Sequence, residues 1–172
     1  ATNSEELRTT VLARISKQSE QLTKQFEDTH HGRLSEMAQT LVQLIVRNLY
    51  ERTADVRWWA TDEAFHACAS EPTEEKISYA RQRLGLINRF YSVYSDLLLV
   101  DTQGKVLANS QADRFRSVQG MNVSNQRWFA EAMATRSGDE YYADDIFNCP
   151  AHNGQAVAAY STAVRRGADV NG

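Results

Sequence analysis

A few short stretches of this chain hold side chains whose types and spacing could do chemistry. Gln126-Arg127-Trp128-Phe129 sets a cation between an amide and two aromatic rings. Trp128 and Phe129 either wall a pocket or pack as plain core. Arg127 sits about 100° around a helix from Gln126, so the two point in different directions. Further on, Tyr141-Tyr142-Ala143-Asp144-Asp145 reads as part of a strand, on which Tyr142 and Asp144 share one face and Tyr141 and Asp145 the other. A carboxylate aimed into a half-closed pocket is costly unless paired, and a cationic ligand would supply the partner. An acidic strand end facing water is the plainer reading of the same residues. Tyr160, with Thr162 and Val164 on its strand face, either lines the same cavity or bridges core and rim; Tyr91 and Tyr94 leave the same choice open.

Other chemistries find less support. His66-Ala-Cys68 and Cys149-Pro-Ala-His152 together offer two sulfurs and two imidazoles, a set tetrahedral zinc accepts. Residues two apart on a helix diverge, however, and no Cys-x-x-Cys element is present, so no metal site is expected. The two cysteines of the chain, Cys68 and Cys149, leave open a bridge or two thiols. No nucleophile elbow, phosphate loop, dinucleotide fingerprint or His-Glu-x-x-His occurs. Asp144 and Asp145 would point to opposite faces of a strand, which excludes a paired acid and base. The chain is therefore expected to be neither an enzyme nor a cofactor binder. Net charge is −3 and no dense Lys/Arg block appears, so a nucleic-acid partner lacks the clustered cations it needs. Apolar runs such as Leu41–Val46 and Leu97–Val100 are far too short to span a bilayer.

The elements that must position these residues follow from periodicity. Residues 4–69 contain no proline and a single glycine, Gly32. Leu7, Val11, Ile15, Leu22 and Phe26, then Leu34, Met37, Leu41, Leu44, Ile45, Leu49, Val56 and Trp59, recur at helical spacing with one slip of phase. A continuous helix over that span would be on the order of 100 Å long, which requires part of it to project or to pair with a second chain. Gly32, beside His30 and His31, is the expected break. A second helix follows Pro72, with Glu74 and Glu75 in its first turn, where the helix dipole favours them. Ile77, Leu84, Ile87 and Tyr91 mark its buried face. Ser95–Ser110 then reads as a strand, a turn at Asp101–Gly104 and a return strand. A short helix is expected from Val123 to Thr135, capped by Ser124 or Asn125, and strands at about 140–147 and 156–165.

This order of elements, with the quoted stretches at 95–110, 120–129, 138–147 and 155–165, resembles the PAS-like module of Cache domains, the extracytoplasmic sensing heads of bacterial chemoreceptors and related transmembrane signalling proteins. The resemblance covers roughly residues 34–166. It implies an α+β fold in which a long N-terminal helix and a second helix pack on an antiparallel PAS-like sheet. Residues 1–33 would form a helical stalk or dimerisation segment, and 34–172 a single sensor module. Gly167–Gly172 reads as a hairpin turn whose second strand is absent. A glycine-punctuated final strand normally follows in such domains, so the last strand is expected to be missing or the sheet closed differently. Amino-acid-binding members carry an arginine two positions before a Trp-Tyr pair, to hold the ligand carboxylate, and a Tyr-x-Asp pattern, to hold its ammonium. Here Gln126 stands where that arginine would be, Trp128-Phe129 is the aromatic pair, and Tyr142 and Asp144 match the second pattern. The implied ligand site is Gln126, Arg127, Trp128, Phe129, Tyr142, Asp144 and Tyr160. The implied function is binding of a small polar solute (an amino acid, amine or organic acid) in the periplasm. Its signal would pass through the long helix of a homodimer, and the membrane would be reached only through segments outside this chain. A ligand-free helical dimerisation module is the alternative.

Overall fold

In the computed structural model of the chain, residues 2–166 and 169–170 are described, with side chains over residues 9–166. The chain is α+β and divides into two compact units, 1–49 and 50–172. Helix α1 runs Thr2–Trp59. Gly32 does not interrupt it, contrary to the expected break. A mid-helix glycine costs only about 1 kcal/mol relative to alanine, too little to end a run of good helix formers. Among the described residues of 9–49, the apolar stripe Val11, Ile15, Leu22, Phe26, Leu34, Met37, Leu41, Leu44, Ile45 and Leu49 is exposed throughout.

The helix ends instead at Trp59. Asp62 caps the next helix, α2 (Glu63–Ser70), its side chain accepting the Ala64 N–H at 2.9 Å. The other carboxylate oxygen of Asp62 takes the Arg83 guanidinium and ties α2 to α3 (Glu74–Phe90). Thr73 caps α3 by accepting the Lys76 N–H. Thr73 follows Pro72, as the sequence suggested for the start of this helix.

Strands β1 (Leu98–Val100) and β2 (Val106–Asn109) form the expected antiparallel hairpin. At its turn, Asp101 Oδ1 accepts the N–H groups of Gln103 and Lys105, both at 2.9 Å. Gly104 closes the turn at φ +82°. A Cβ there would also lie 2.6 Å from the Ser124 nitrogen, so only glycine lets the loop 121–126 cross the hairpin. That loop is held by Val123 N–H donating to the Gly104 carbonyl at 2.7 Å.

The hairpin separates two apolar clusters because alternate strand residues point to opposite faces. Leu99 and Leu107 join Trp59, Phe65, Cys68, Ala80, Leu84 and Val164. Val106 joins Phe115, Val118 and Val123, with Leu98, Val100, Trp128 and Phe129 packed against them. Full burial of a side chain such as Phe65 or Leu107 stabilises by about 1.5–3 kcal/mol. On α3, Ala80, Leu84 and Asn88 are the buried positions, and the predicted Ile77, Ile87 and Tyr91 pack half-buried at the edge of the first cluster.

Beyond the hairpin come α4 (Arg127–Ala134), β3 (Tyr142–Ala143), β4 (Phe147–Cys149), the 3-10 turn Pro150–His152, β5 (Gln155–Val157), β6 (Tyr160–Ser161), β7 (Arg165–Arg166) and β8 (Asp169–Val170). The strands pair antiparallel as β1–β2, β3–β6, β4–β5 and β7–β8. The two long strands expected at 140–147 and 156–165 are thus broken into short pieces. Asp144-Asp145-Ile146 and Ala158-Ala159 interrupt them, and aspartate and alanine are poor strand formers. Asp169–Val170 supplies a short return strand where none was expected; the turn residues 167–168 and the end of the chain, 171–172, lie outside the described residues. Among the described residues no helix is long and apolar enough to cross a membrane.

Candidate functional site

Helix α4 starts later than its sequence suggested. Asn122, not a cap at Ser124, organises the approach: its Oδ1 accepts both the Ser124 N–H at 3.0 Å and the Ser124 hydroxyl at 2.6 Å. With that hydroxyl used locally, Gln126 becomes the N-cap residue, without a side-chain capping bond. Its amide donates to Asn125 Oδ1 at 3.2 Å.

The next residue, Arg127, places its guanidinium carbon 5.5 Å from the centre of the Tyr142 ring, a cation–π arrangement. On the facing strand the Tyr142 hydroxyl donates to Asp144 Oδ1 at 3.2 Å, so these two do share a face as strand geometry requires. The Asp144 N–H donates to the Ala159 carbonyl at 2.8 Å and extends the β3–β6 pairing by one residue. Partial burial raises the Tyr142 pKa; the Arg127 cation opposes that shift and the Asp144 carboxylate adds to it. Arg127, Tyr142 and Asp144 therefore form a contiguous cation–phenol–carboxylate set. Tyr141, on the other face, lies under Arg57, 5.4 Å from ring centre to guanidinium carbon.

Trp128 and Phe129 belong to the apolar side of the helix start. They meet edge to face at 6.4 Å and pack against the Val106–Phe115–Val118–Val123 cluster. They are the wall on which α4 sits, and Ser161 of β6 fixes that wall by donating its hydroxyl to the Trp128 carbonyl at 2.8 Å. Tyr160 pairs across from Ala143. Its phenol is the smallest of the influences that raise the Tyr94 pKa. The structure thus brings Arg127, Tyr142 and Asp144 together, packs the half-buried Trp128 and Phe129 against the second cluster, and leaves Gln126 engaged with its neighbour.

Sequence reasoning missed a second polar set. The Tyr94 hydroxyl donates to Asp55 Oδ2 at 2.6 Å, and the Arg52 guanidinium lies over the Tyr94 ring at 5.0 Å. Burial first, and then the Asp55 bond, push the Tyr94 phenol far above its ordinary range. Tyr91 and Tyr94 both meet the Trp59 ring edge-on, at 5.1 and 5.0 Å. The i, i+3 spacing of Arg52 and Asp55 was a legible signal for this pair, but its tyrosine partner lies 39 residues on.

A groove of about 620 Å³ lies between the end of α1 and α3, lined by Trp58, Trp59, Asp62, Arg83, Leu86 and Phe90 among others. None of the seven candidate residues lines it. The zinc set does not assemble: no group of three His, Cys, Asp or Glu among the described residues is arranged to hold a metal. Cys68 is buried in the first cluster and Cys149 is half-buried, and both are free thiols. Burial raises the Cys68 pKa, with Lys76 opposing.

No protein-family model matches this chain, and no curated protein matches it. Among solved structures the chain is similar to the sensor domain of the histidine kinase DctB from V. cholerae, with a TM-score of 0.64 at 20% sequence identity. The match covers 73% of this chain and 46% of that one, so the chain spans under half the length of this neighbour. At that identity the likeness is one of fold: the α+β arrangement of a long helix, packed helices and short antiparallel strands is shared.

Proposed function

We propose that this chain is an extracytoplasmic ligand-sensing module of a bacterial transmembrane signalling receptor of the chemotaxis-transducer type. The observation that carries the reading is the convergence of Arg127, Tyr142 and Asp144 between α4 and β3, on a fold shared with a kinase sensor domain. A zwitterionic or cationic solute would replace the Tyr142–Asp144 bond, with its ammonium on Asp144 and its carboxylate, where it has one, on Arg127. Arg127 then does the work that an arginine at position 126 would otherwise do. Trp128 and Phe129 hold α4 against the core, so a shift of α4 is felt by the β1–β2 hairpin. No catalytic step, cofactor or nucleic acid enters this reading. The membrane would be reached through segments outside this chain, with the module on the periplasmic side.

The long helix would carry the signal within a homodimer. Its exposed apolar stripe supports that role and equally supports the second reading, a ligand-free dimerisation module. A thermal-shift screen with amino acids, amines and organic acids separates the two, because stabilisation grows with ligand concentration over dissociation constant. The sensor reading expects one class to raise Tm and Asp144→Ala to abolish that rise while leaving the ligand-free Tm nearly unchanged. If no class shifts Tm, the dimerisation reading stands instead; a shift that Asp144→Ala keeps removes Asp144 as the anchor of the ligand.

A further inference from the structure

Away from α4, three side chains remote in sequence form a relay. The Cys149 Sγ lies 3.2 Å from His152 Nδ1, and His152 Nε2 lies 3.2 Å from Asp96 Oδ2. The local structure explains the first contact. Cys149 caps the 3-10 turn that begins at Pro150 and His152 is its last residue, and residues three apart eclipse one another in that geometry. Asn153 (φ +58°) and Gly154 (φ +71°) then turn the chain back into β5, and the Gly154 N–H donates to the Cys149 carbonyl at 2.9 Å.

The tautomer follows from the partners of Asp96. Its Oδ1 accepts the N–H groups of Leu97 and Gln111, each at 2.9 Å, and the Ser110 hydroxyl at 2.7 Å; Oδ2 accepts the Asn109 amide at 3.0 Å. Backbone N–H and amide NH₂ groups can only donate, and donors converging on both oxygens favour the ionised carboxylate over the acid. His152 then donates its Nε2 proton to Asp96, and in the neutral imidazole this leaves the Nδ1 lone pair facing the Cys149 thiol. The side chains of Asp96 and His152 are 2% and 9% exposed, whereas Cys149 is half-open to solvent. Phe115 packs edge-on against the imidazole at 4.7 Å and fixes its plane; the cation of that layer, Arg114, lies over the Phe115 ring at 4.9 Å. Nucleophile, base and orienting carboxylate in this sequence make up an activated-thiol arrangement. It is not a metal site, because the two ring nitrogens of His152 face different partners instead of converging with them on one point.

We propose that Cys149 is a thiol–disulfide exchange site for small disulfides, with His152 as its base and Asp96 as the residue that positions His152. His152 Nδ1 takes the thiol proton, and the Cys149 sulfur attacks one sulfur of the disulfide. A new S–S bond forms as the old one breaks, and the departing thiolate receives the proton held on His152. One thiol and one disulfide enter, and one mixed disulfide and one thiol leave. This is an activity separate from solute binding at Asp144 and does not depend on it.

The test uses the full chain and the aromatic disulfide reagent DTNB, followed by the absorbance of the released thiolate, with labelled peptides identified by mass spectrometry. The expected result is one fast-reacting thiol, Cys149, at a rate at about pH 7 on the order of tenfold or more above that of N-acetylcysteine. Cys68 should stay unlabelled until the chain is denatured, which makes it an internal reporter of folding. His152→Asn, with Cys68 still protected, should bring the Cys149 rate down to that of N-acetylcysteine from about pH 6 to 8. An unchanged rate in that variant overturns the proposal. If His152→Asn fails to fold, the wild-type rate decides: reaction no faster than N-acetylcysteine overturns the proposal without touching the sensor reading.

Discussion

Asp96→Asn is the sharpest test of how this structure is held together. The wild-type carboxylate is almost fully buried and accepts five hydrogen bonds, from Leu97, Ser110, Gln111, Asn109 and His152. An asparagine keeps the shape but exchanges one acceptor for a donor. If its oxygen keeps the Leu97, Ser110 and Gln111 contacts, its NH₂ group meets the Asn109 amide and the His152 Nε2–H head-on. Hydrogen bonds to a charged group contribute about 1.5–3 kcal/mol each, and a buried donor left unmatched adds its desolvation cost. The expected loss is about 3–5 kcal/mol at neutral pH. At about 2–4 °C per kcal/mol for a chain of this size, Tm falls by roughly 6–20 °C. Acid should erase the difference. Burial pushes the Asp96 carboxyl up, but the bonds from His152, Asn109, Ser110 and Gln111 outweigh it, and its pKa lies below the ordinary value. A depressed folded-state pKa contributes stability above the unfolded value, about 3.9, and that contribution disappears as pH falls through the folded one. Paired urea titrations of wild type and variant at neutral and acidic pH measure the gap. It should hold steady down to about pH 5 and shrink below about pH 4. A gap under about 1 kcal/mol at neutral pH, or one that persists undiminished into strong acid, would refute the reasoning.

Two further outcomes follow from the fold. Gly104→Ala should cost about 2–4 kcal/mol by chemical denaturation, from a positive φ and a Cβ driven into the Ser124 backbone; a change below about 0.5 kcal/mol would show that the loop moves freely. If the proposed homodimer forms through the exposed stripe of α1, replacing Leu41 and Ile45 by glutamate converts it to a monomer in sedimentation without lowering the helicity seen by circular dichroism; a wild-type monomer, or a dimer that survives both changes, refutes that pairing.

Local rules made some elements readable in advance. The Asp101–Gly104 turn was legible because its aspartate and glycine act within four residues: one side chain caps two N–H groups and one backbone takes a positive φ. The start of α3 was legible for the same reason, in Pro72, Thr73 and the two glutamates that follow. The shared face of Tyr142 and Asp144 needed only the two-residue period of a strand. Where α1 ends was harder, because Gly32 is the stronger local breaker, yet the helix stops where Asp62 gains both a capping role and Arg83.

Periodicity determined the long N-terminal helix, and residue identity the absence of familiar catalytic motifs, since each depends on neighbours a few residues apart; the α+β class was implied by the resemblance of the element order to a PAS-like sensor module. Only the tertiary structure decided which polar groups meet. Asp96 reaches His152 across 56 residues and Tyr94 reaches Asp55 across 39, and Arg127 finds Tyr142 because α4 packs on β3. Such contacts arise from how apolar faces stack, and their partners carry no mark in the local sequence. That is why Cys149 and His152 read as half of a poor zinc set until Asp96 was seen to orient the imidazole between them.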